Sequence, residues 1–163
     1  MGSRWRNFVH CARIRCASNG PIFFASPEVS RAILGPWATS EERTRYGRAR
    51  GHVDLFITGQ LIALRMPPSK SVDAHTALLE ERKHEAWEMR PRNPKPGIRI
   101  FGRFSEKDTF IALTTALREN LVTNDDWQQE IERCKKEWRK YFNTFKPFSG
   151  HTGYCYASNV FLV

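Results

Sequence analysis

The sequence predicts an α+β fold: a small antiparallel sheet packed by an N-terminal helix and by a long C-terminal amphipathic helix. Three observations carry this. Between His84 and Leu113, apolar-rich segments alternate with Pro94-Lys95-Pro96-Gly97 and with Ser105–Asp108, residues that suit tight turns. Thr39-Ser40-Glu41-Glu42 has the form of a capping box, which satisfies the free backbone donors at a helix start. Trp127, Ile131, Cys134, Trp138, Phe142 and Phe145 recur at steps of three and four, the period of one helix face.

Taken in order, residues 1–38 read as a basic N-terminal arm and residues 39–163 as one domain. Residues 1–27 carry Arg4, Arg6, Arg13 and Arg15 with no acid before Glu28. This resembles a transit peptide or a basic arm and lacks the apolar stretch of a secretory signal; a flexible tail or an early start codon fits equally. The helix after Thr39 is expected to run to about Thr58 and stop at Gly59, with Val53, Phe56 and Ile57 on its apolar side. Leu61–Arg65 reads as a short strand ended by Pro67 and Pro68. Ala74–Glu81 reads as a helical turn or a strand leading into the hairpin. Asn124-Asp125-Asp126 starts the long helix, with acids at the positive end of its dipole. Its far side bears Arg133, Lys135, Lys136, Arg139 and Lys140, either a solvated surface or an extension of a phosphate-binding groove. Asn159–Val163 reads as a final strand or a docked segment.

The hairpin block also has a predictable register, because strand side chains alternate faces and opposed residues share a face. Turning through Pro94–Gly97 sets Trp87 against Phe104, Met89 against Gly102 and Pro91 against Ile100. On the other face Glu88 meets Arg103, Arg90 meets Phe101, and Arg92 meets Arg99. The second turn then adds Ile111 and Leu113 to the apolar face, and Phe110, Ala112 and Thr114 to the arginine face. Opposed like charges destabilise a ladder by up to about 1 kcal/mol. An anion between Arg92 and Arg99 would remove that penalty, since arginine holds phosphate through paired hydrogen bonds. The alternative is a basic face screened by water and salt.

Composition narrows the partners. The 163-residue chain has a formal net charge of +9 and a pI near 9.8, which points to an anionic partner: nucleic acid first, an acidic protein second and an anionic membrane third. No apolar run is long enough to span a bilayer, so no membrane-spanning segment is expected and no membrane is counted among the partners. Cys11, Cys16, Cys134 and Cys155 form no zinc spacing, and free thiols in a reducing, cytoplasmic setting are the expectation. His10, His52, His75, His84 and His151 form no H-x-x-x-H pair, so neither a metal nor a cofactor is expected.

Trp87-Glu88-Met89-Arg90, Gly97-Ile98-Arg99-Ile100-Phe101, the apolar strand Phe110–Leu113 and the helix phrase from Trp127 to Lys135 together resemble the RelE/HigB-type toxins of bacterial toxin–antitoxin systems. The resemblance covers roughly residues 39–142. The family's lysine-rich phrase after the apolar strand is replaced here by Ala116-Leu117-Arg118-Glu119-Asn120. What the resemblance implies is a metal-independent endoribonuclease that cuts messenger RNA on the ribosome and is neutralised by an acidic or helix-turn-helix antitoxin. In that reaction a ribose 2′-hydroxyl attacks the adjacent phosphate, which requires a base, an acid and cations on the developing charge. By the same resemblance Arg90 and Arg99 are expected on the phosphate, and His151 and Tyr154 as the proton-transfer pair. An imidazole such as that of His151 moves protons near neutrality. Arg92, Arg103, Arg118 and the hairpin-tip Lys95 are expected to contact RNA. Phe101 either stacks a base or sits beneath a second element. A different class remains: a non-enzymatic basic binder on the same scaffold, either a ParE-like topoisomerase poison or a protein that holds nucleic acid or an acidic partner.

Overall fold

Residues 98–117 build the longest ladder of the molecule. β6 (Ile98–Glu106) and β7 (Thr109–Leu117) are joined by a tight turn in which Asp108 adopts a left-handed conformation, φ 59°. A computed structural model describes residues 11–14 and 20–163. Within them lie six further strands, β1 (Ala12–Ile14), β2 (Ile22–Ala25), β3 (Ile62–Arg65), β4 (Thr76–Leu78), β5 (Trp87–Met89) and β8 (Val160–Leu162). Four helices accompany them: α1 (Pro27–Leu34), α2 (Ser40–Ile57), α3 (Asn124–Phe142) and α4 (Gly153–Tyr156).

These strands form one sheet in the order β1-β2-β7-β6-β5-β4-β3-β8, curled into a half-barrel. The β2–β7, β3–β4 and β3–β8 pairs are parallel and the others antiparallel. This overturns the expected small antiparallel sheet. The chain returns twice to lay a strand parallel to a distant one, β2 with β7 and β3 with β8, and crosses over once more between β3 and β4; those pairings leave no mark in local periodicity. Nor does the long helix close the fold. α3 is followed by α4 and by β8, which pairs with β3 across a hundred residues of chain. Part of the expected N-terminal arm also belongs to the sheet. β2 pairs with β7, and Val29 and Ile33 of α1 are buried in the core. Residues 1–10 and 15–19 of that arm lie outside the described residues.

The sheet buries both of its faces. One packs Phe23, Leu64, Trp87, Met89, Ile100, Phe104 and Phe110 under Val29 and Ile33 of α1 and Ala49, Val53 and Phe56 of α2, with Tyr156 of α4 alongside. The other packs Phe24, Phe101, Ile111 and Leu113 under Ile131, Cys134, Trp138 and Phe142 of α3. α2 starts with the expected reciprocal cap between Thr39 and Glu42, and α3 with one between Thr123 and Asp126. Each cap satisfies donors that the first helical turn leaves free.

The hairpin register is displaced by two residues from the expected one: Trp87 opposes Gly102, Glu88 opposes Phe101 and Met89 opposes Ile100. A two-residue slip keeps every side chain on its face, so Glu88, Phe101 and the arginines at 99 and 103 still share a side. The β6–β7 ladder, however, is irregular between Phe101 and Gly102. One extra residue there, with a second shift between Phe104 and Glu106, reverses the partition of β7 from Phe110 to Leu113, while Thr114 keeps its expected place opposite Phe101. Phe110 and Ala112 join Trp87, while Ile111 and Leu113 face α3. Gly102 is required at this point, since a Cβ would sit 2.2 Å from the Ile111 carbonyl oxygen and 2.6 Å from the Phe110 ring.

Candidate anion-binding site

The first two turns of α3, the strands β3 to β6 and the short turn Arg118–Asn120 enclose a hollow of about 460 Å³. Its cations are Arg65, Lys70, Arg90, Arg99 and Arg118. The strands set their direction. Glu88 and Arg99 project from adjacent strands toward the α3 side, and one further step of the β5–β6 register sets Arg90, not Arg92, opposite Arg99.

Glu88 lies at the floor of the hollow with a side chain only 2 % exposed. Its Oε2 is 3.0 Å from Arg99 Nε and its Oε1 is 3.4 Å from Arg90 Nε. One internal carboxylate therefore stands where the opposed arginines call for an anion. These contacts are close but not aligned as hydrogen bonds. Glu88 Oε2 and the Nε atoms of Arg65, Arg90 and Arg99 are buried and have no hydrogen-bond partner among the described residues. Burial raises the Glu88 carboxyl above its ordinary range, and Arg99 and then Arg90 pull it back. Burial likewise presses the Arg90 and Arg99 guanidinium groups below their usual values, opposed by Glu88. We expect both guanidinium groups to stay charged, because arginine is not deprotonated in proteins.

The remaining donors are partly used. Arg65 Nη1 donates to the Ser71 carbonyl at 3.2 Å, and Arg90 Nη1 to those of Ser71 and Val72 at 3.4 and 3.3 Å. Arg99 Nη1 donates to its own neighbour's carbonyl, Ile98 O, at 2.9 Å. The Arg118 guanidinium lies over the Trp127 ring, 5.6 Å from its centre. At the rim Lys70 pairs with Glu80 at 2.5 Å.

A second hollow of about 730 Å³ adjoins the first and shares Arg99 and Arg118 with it. Arg92, Lys95, Pro96, Gly97 and Glu119 complete its lining. Arg92 pairs with Asp73 at 3.3 Å, whereas Lys95 makes no ion pair among the described residues. The structure thus groups five of the residues singled out in the sequence, Arg90, Arg92, Lys95, Arg99 and Arg118, around two connected hollows.

The other four lie elsewhere. Arg103 runs under α3, where its guanidinium sits over Trp138 at 5.6 Å and donates to the His84 carbonyl. Phe101 is fully buried, with Trp127 edge-on against it at 6.0 Å, so its ring is beneath a helix rather than open to a base. His151 is exposed and lines a separate hollow with Arg82, Thr152 and Leu162. Tyr154 is on α4 and exposed. Neither reaches the arginine cluster, although Pro67 and Ser69 border both hollows.

Sequence reasoning passed over Arg65 and assigned Glu88 to an ordinary pair with Arg103. Arg65 comes from a strand that no short-range pattern ties to the hairpin. Glu88 was legible, since an acid flanked by Trp87 and Met89 within a buried strand must find cations. Among the described residues no helix is long and apolar enough to cross a membrane. Comparison with protein-family models, with curated proteins and with solved structures finds no match to this chain.

Proposed function

We propose that this protein binds RNA through its phosphodiester backbone, seating a phosphate among Arg65, Arg90, Arg99 and Arg118. The observation that carries this reading is the set of three buried Nε donors without a hydrogen-bond partner in one hollow, two of them against a single shared carboxylate. Buried donors left unmatched are costly, and phosphate oxygens match guanidinium groups in pairs. A polymer is favoured over a small anion because the second hollow continues the cationic lining through Arg92 and Lys95. The net charge of +9 acts in the same direction at longer range.

Cleavage of that RNA, the activity the RelE/HigB resemblance implies, is the second reading. Phosphate charge stabilisation is available from the arginines, but His151 and Tyr154 stand outside the hollow. One observation favours it: Glu88, beside the arginines and raised by burial, is a carboxyl suited to accept a 2′-hydroxyl proton. An acidic antitoxin covering the arginine hollow and action in the cytoplasm belong to this reading.

The test is fluorescence anisotropy with labelled single-stranded RNA across a salt series, with a cleavage assay on the same samples with and without ribosomes. Binding should weaken with salt at a log–log slope of about −0.7 per phosphate contacted. Arg90→Ala and Arg99→Ala should each weaken it about tenfold or more, from the loss of one charged hydrogen-bonding group of roughly 1.5–3 kcal/mol. Wild-type protein that leaves RNA unbound at low salt refutes the proposal. Cuts that vanish in both variants promote the enzyme reading over simple binding.

A further inference from the structure

The pocket contains its own anion, and any ligand anion must contend with it. We propose that anion binding in the four-arginine hollow is coupled to uptake of one proton by Glu88. The inference rests on the pocket reading above and adds to it the regulation of that site by pH.

The geometry sets the coupling. Glu88 is within 3.4 Å of Arg90 Nε and 3.0 Å of Arg99 Nε, so a phosphate or sulfate using those donors arrives against the carboxylate. Two like charges that share a site cannot both remain ionised without cost, and one of them takes up a proton. The protonated carboxyl then has an O–H to donate to the bound anion. The proton comes from solvent and no bond to the ligand forms or breaks.

The surroundings single out Glu88 as the group that responds. Arg65 faces it from β3, Arg90 from the end of β5, Arg99 from β6 and Arg118 from the turn after β7. α3 contributes Asn124 and Gln128, which do not titrate. Glu80 and Glu81 are at the rim, held below the usual carboxylate range by hydrogen bonds from Lys70 and Lys83. His52, near Arg92 and Arg99, is held neutral by burial and by His75. Burial already raises Glu88 before any ligand arrives.

Sulfate is the right probe because it carries the same charge throughout pH 5 to 8. Isothermal titration of wild-type protein with sulfate, in two buffers of different ionisation enthalpy, counts the protons taken up. The expected result is uptake approaching one proton per sulfate, with affinity rising by up to tenfold for each unit of falling pH where the coupling is complete. Glu88→Gln should bind sulfate with no proton uptake, a flat pH profile and tighter affinity at pH 8. Should that variant fail to fold, carbon NMR of wild-type protein labelled at glutamate side chains reads the same property, as a Glu88 titration that moves to higher pH when sulfate is added. Sulfate binding that is flat with pH in the wild type, or a pH profile that persists in Glu88→Gln, overturns the coupling and leaves the pocket standing. No sulfate binding at any pH overturns the pocket itself.

Discussion

Glu88 and Arg99 show what a single side chain contributes to this molecule. Each is buried on the same sheet face, and each makes the other's burial tolerable. Removing one partner of a buried pair leaves an uncompensated charge. Arg99→Met is therefore expected to cost about 3 kcal/mol of stability, measured by urea unfolding. The pH dependence has a definite sign. With its nearest cation gone, the folded-state value of Glu88 rises further above the unfolded one. A raised carboxyl favours folding at low pH, and that advantage is lost as pH rises through the folded value. The deficit should thus be larger at pH 8 than at pH 5.5. An equal deficit at both would show that Arg90 and Arg65 suffice to hold Glu88 ionised.

At the scale of elements, the β6–β7 irregularity decides which residues meet. By inserting one residue beside Gly102 it turns Phe110 toward Phe104, edge to face at 5.1 Å, and Phe104 in turn meets Trp87 edge to face at 5.2 Å. It turns Ile111 and Leu113 toward α3. Gly102→Ala places a methyl group against backbone on the opposite strand. Such overpacking costs about 3 kcal/mol or more where the neighbour cannot yield, and the urea midpoint should fall accordingly. A shift within about 0.5 kcal/mol, the range of ordinary surface substitutions, would mean the ladder relaxes freely there. Local pattern reading had no access to this irregularity. Phe110-Ile111-Ala112-Leu113 is apolar on both sides because both sides are covered, so neither face announces itself.

At the scale of the whole molecule, a pair of histidines fastens the helical layer to the sheet. His52 of α2 and His75 before β4 stack with ring centres 3.6 Å apart and planes within 5°. His52 Nε2 donates to the His75 carbonyl at 3.0 Å, and His75 Nε2 to the His52 carbonyl at 2.8 Å. Burial, and for His52 also the neighbouring ring, push them down to about 3 and about 4. Depressed folded values leave stability intact above the unfolded value near 6.5 and remove it as pH falls toward the folded values, because only the unfolded chain takes up the protons. Stability should decline by up to about 2.7 kcal/mol per pH unit once both histidines contribute, and His52→Gln should make that acid limb shallower. An NMR titration in which both rings protonate near 6.5 would contradict this account.

The sequence by itself determined the elements whose causes are local. The helix after Thr39 follows from its capping box, the helix from Asn124 follows from its acidic first turn and apolar stripe, and the face shared by Glu88, Phe101, Arg99 and Arg103 follows from strand alternation, which survives a two-residue slip. The tertiary structure alone decided the rest. Parallel pairing of β2 with β7 and of β3 with β8 joins segments far apart in the chain, and backbone hydrogen bonds between them carry no residue code. The same strand order brings Arg65 beside Arg90 and Arg99, and leaves His151 on the far side of Pro67–Ser69. Alternation can say which side of a strand a charge is on; only the order of the strands says which charges meet.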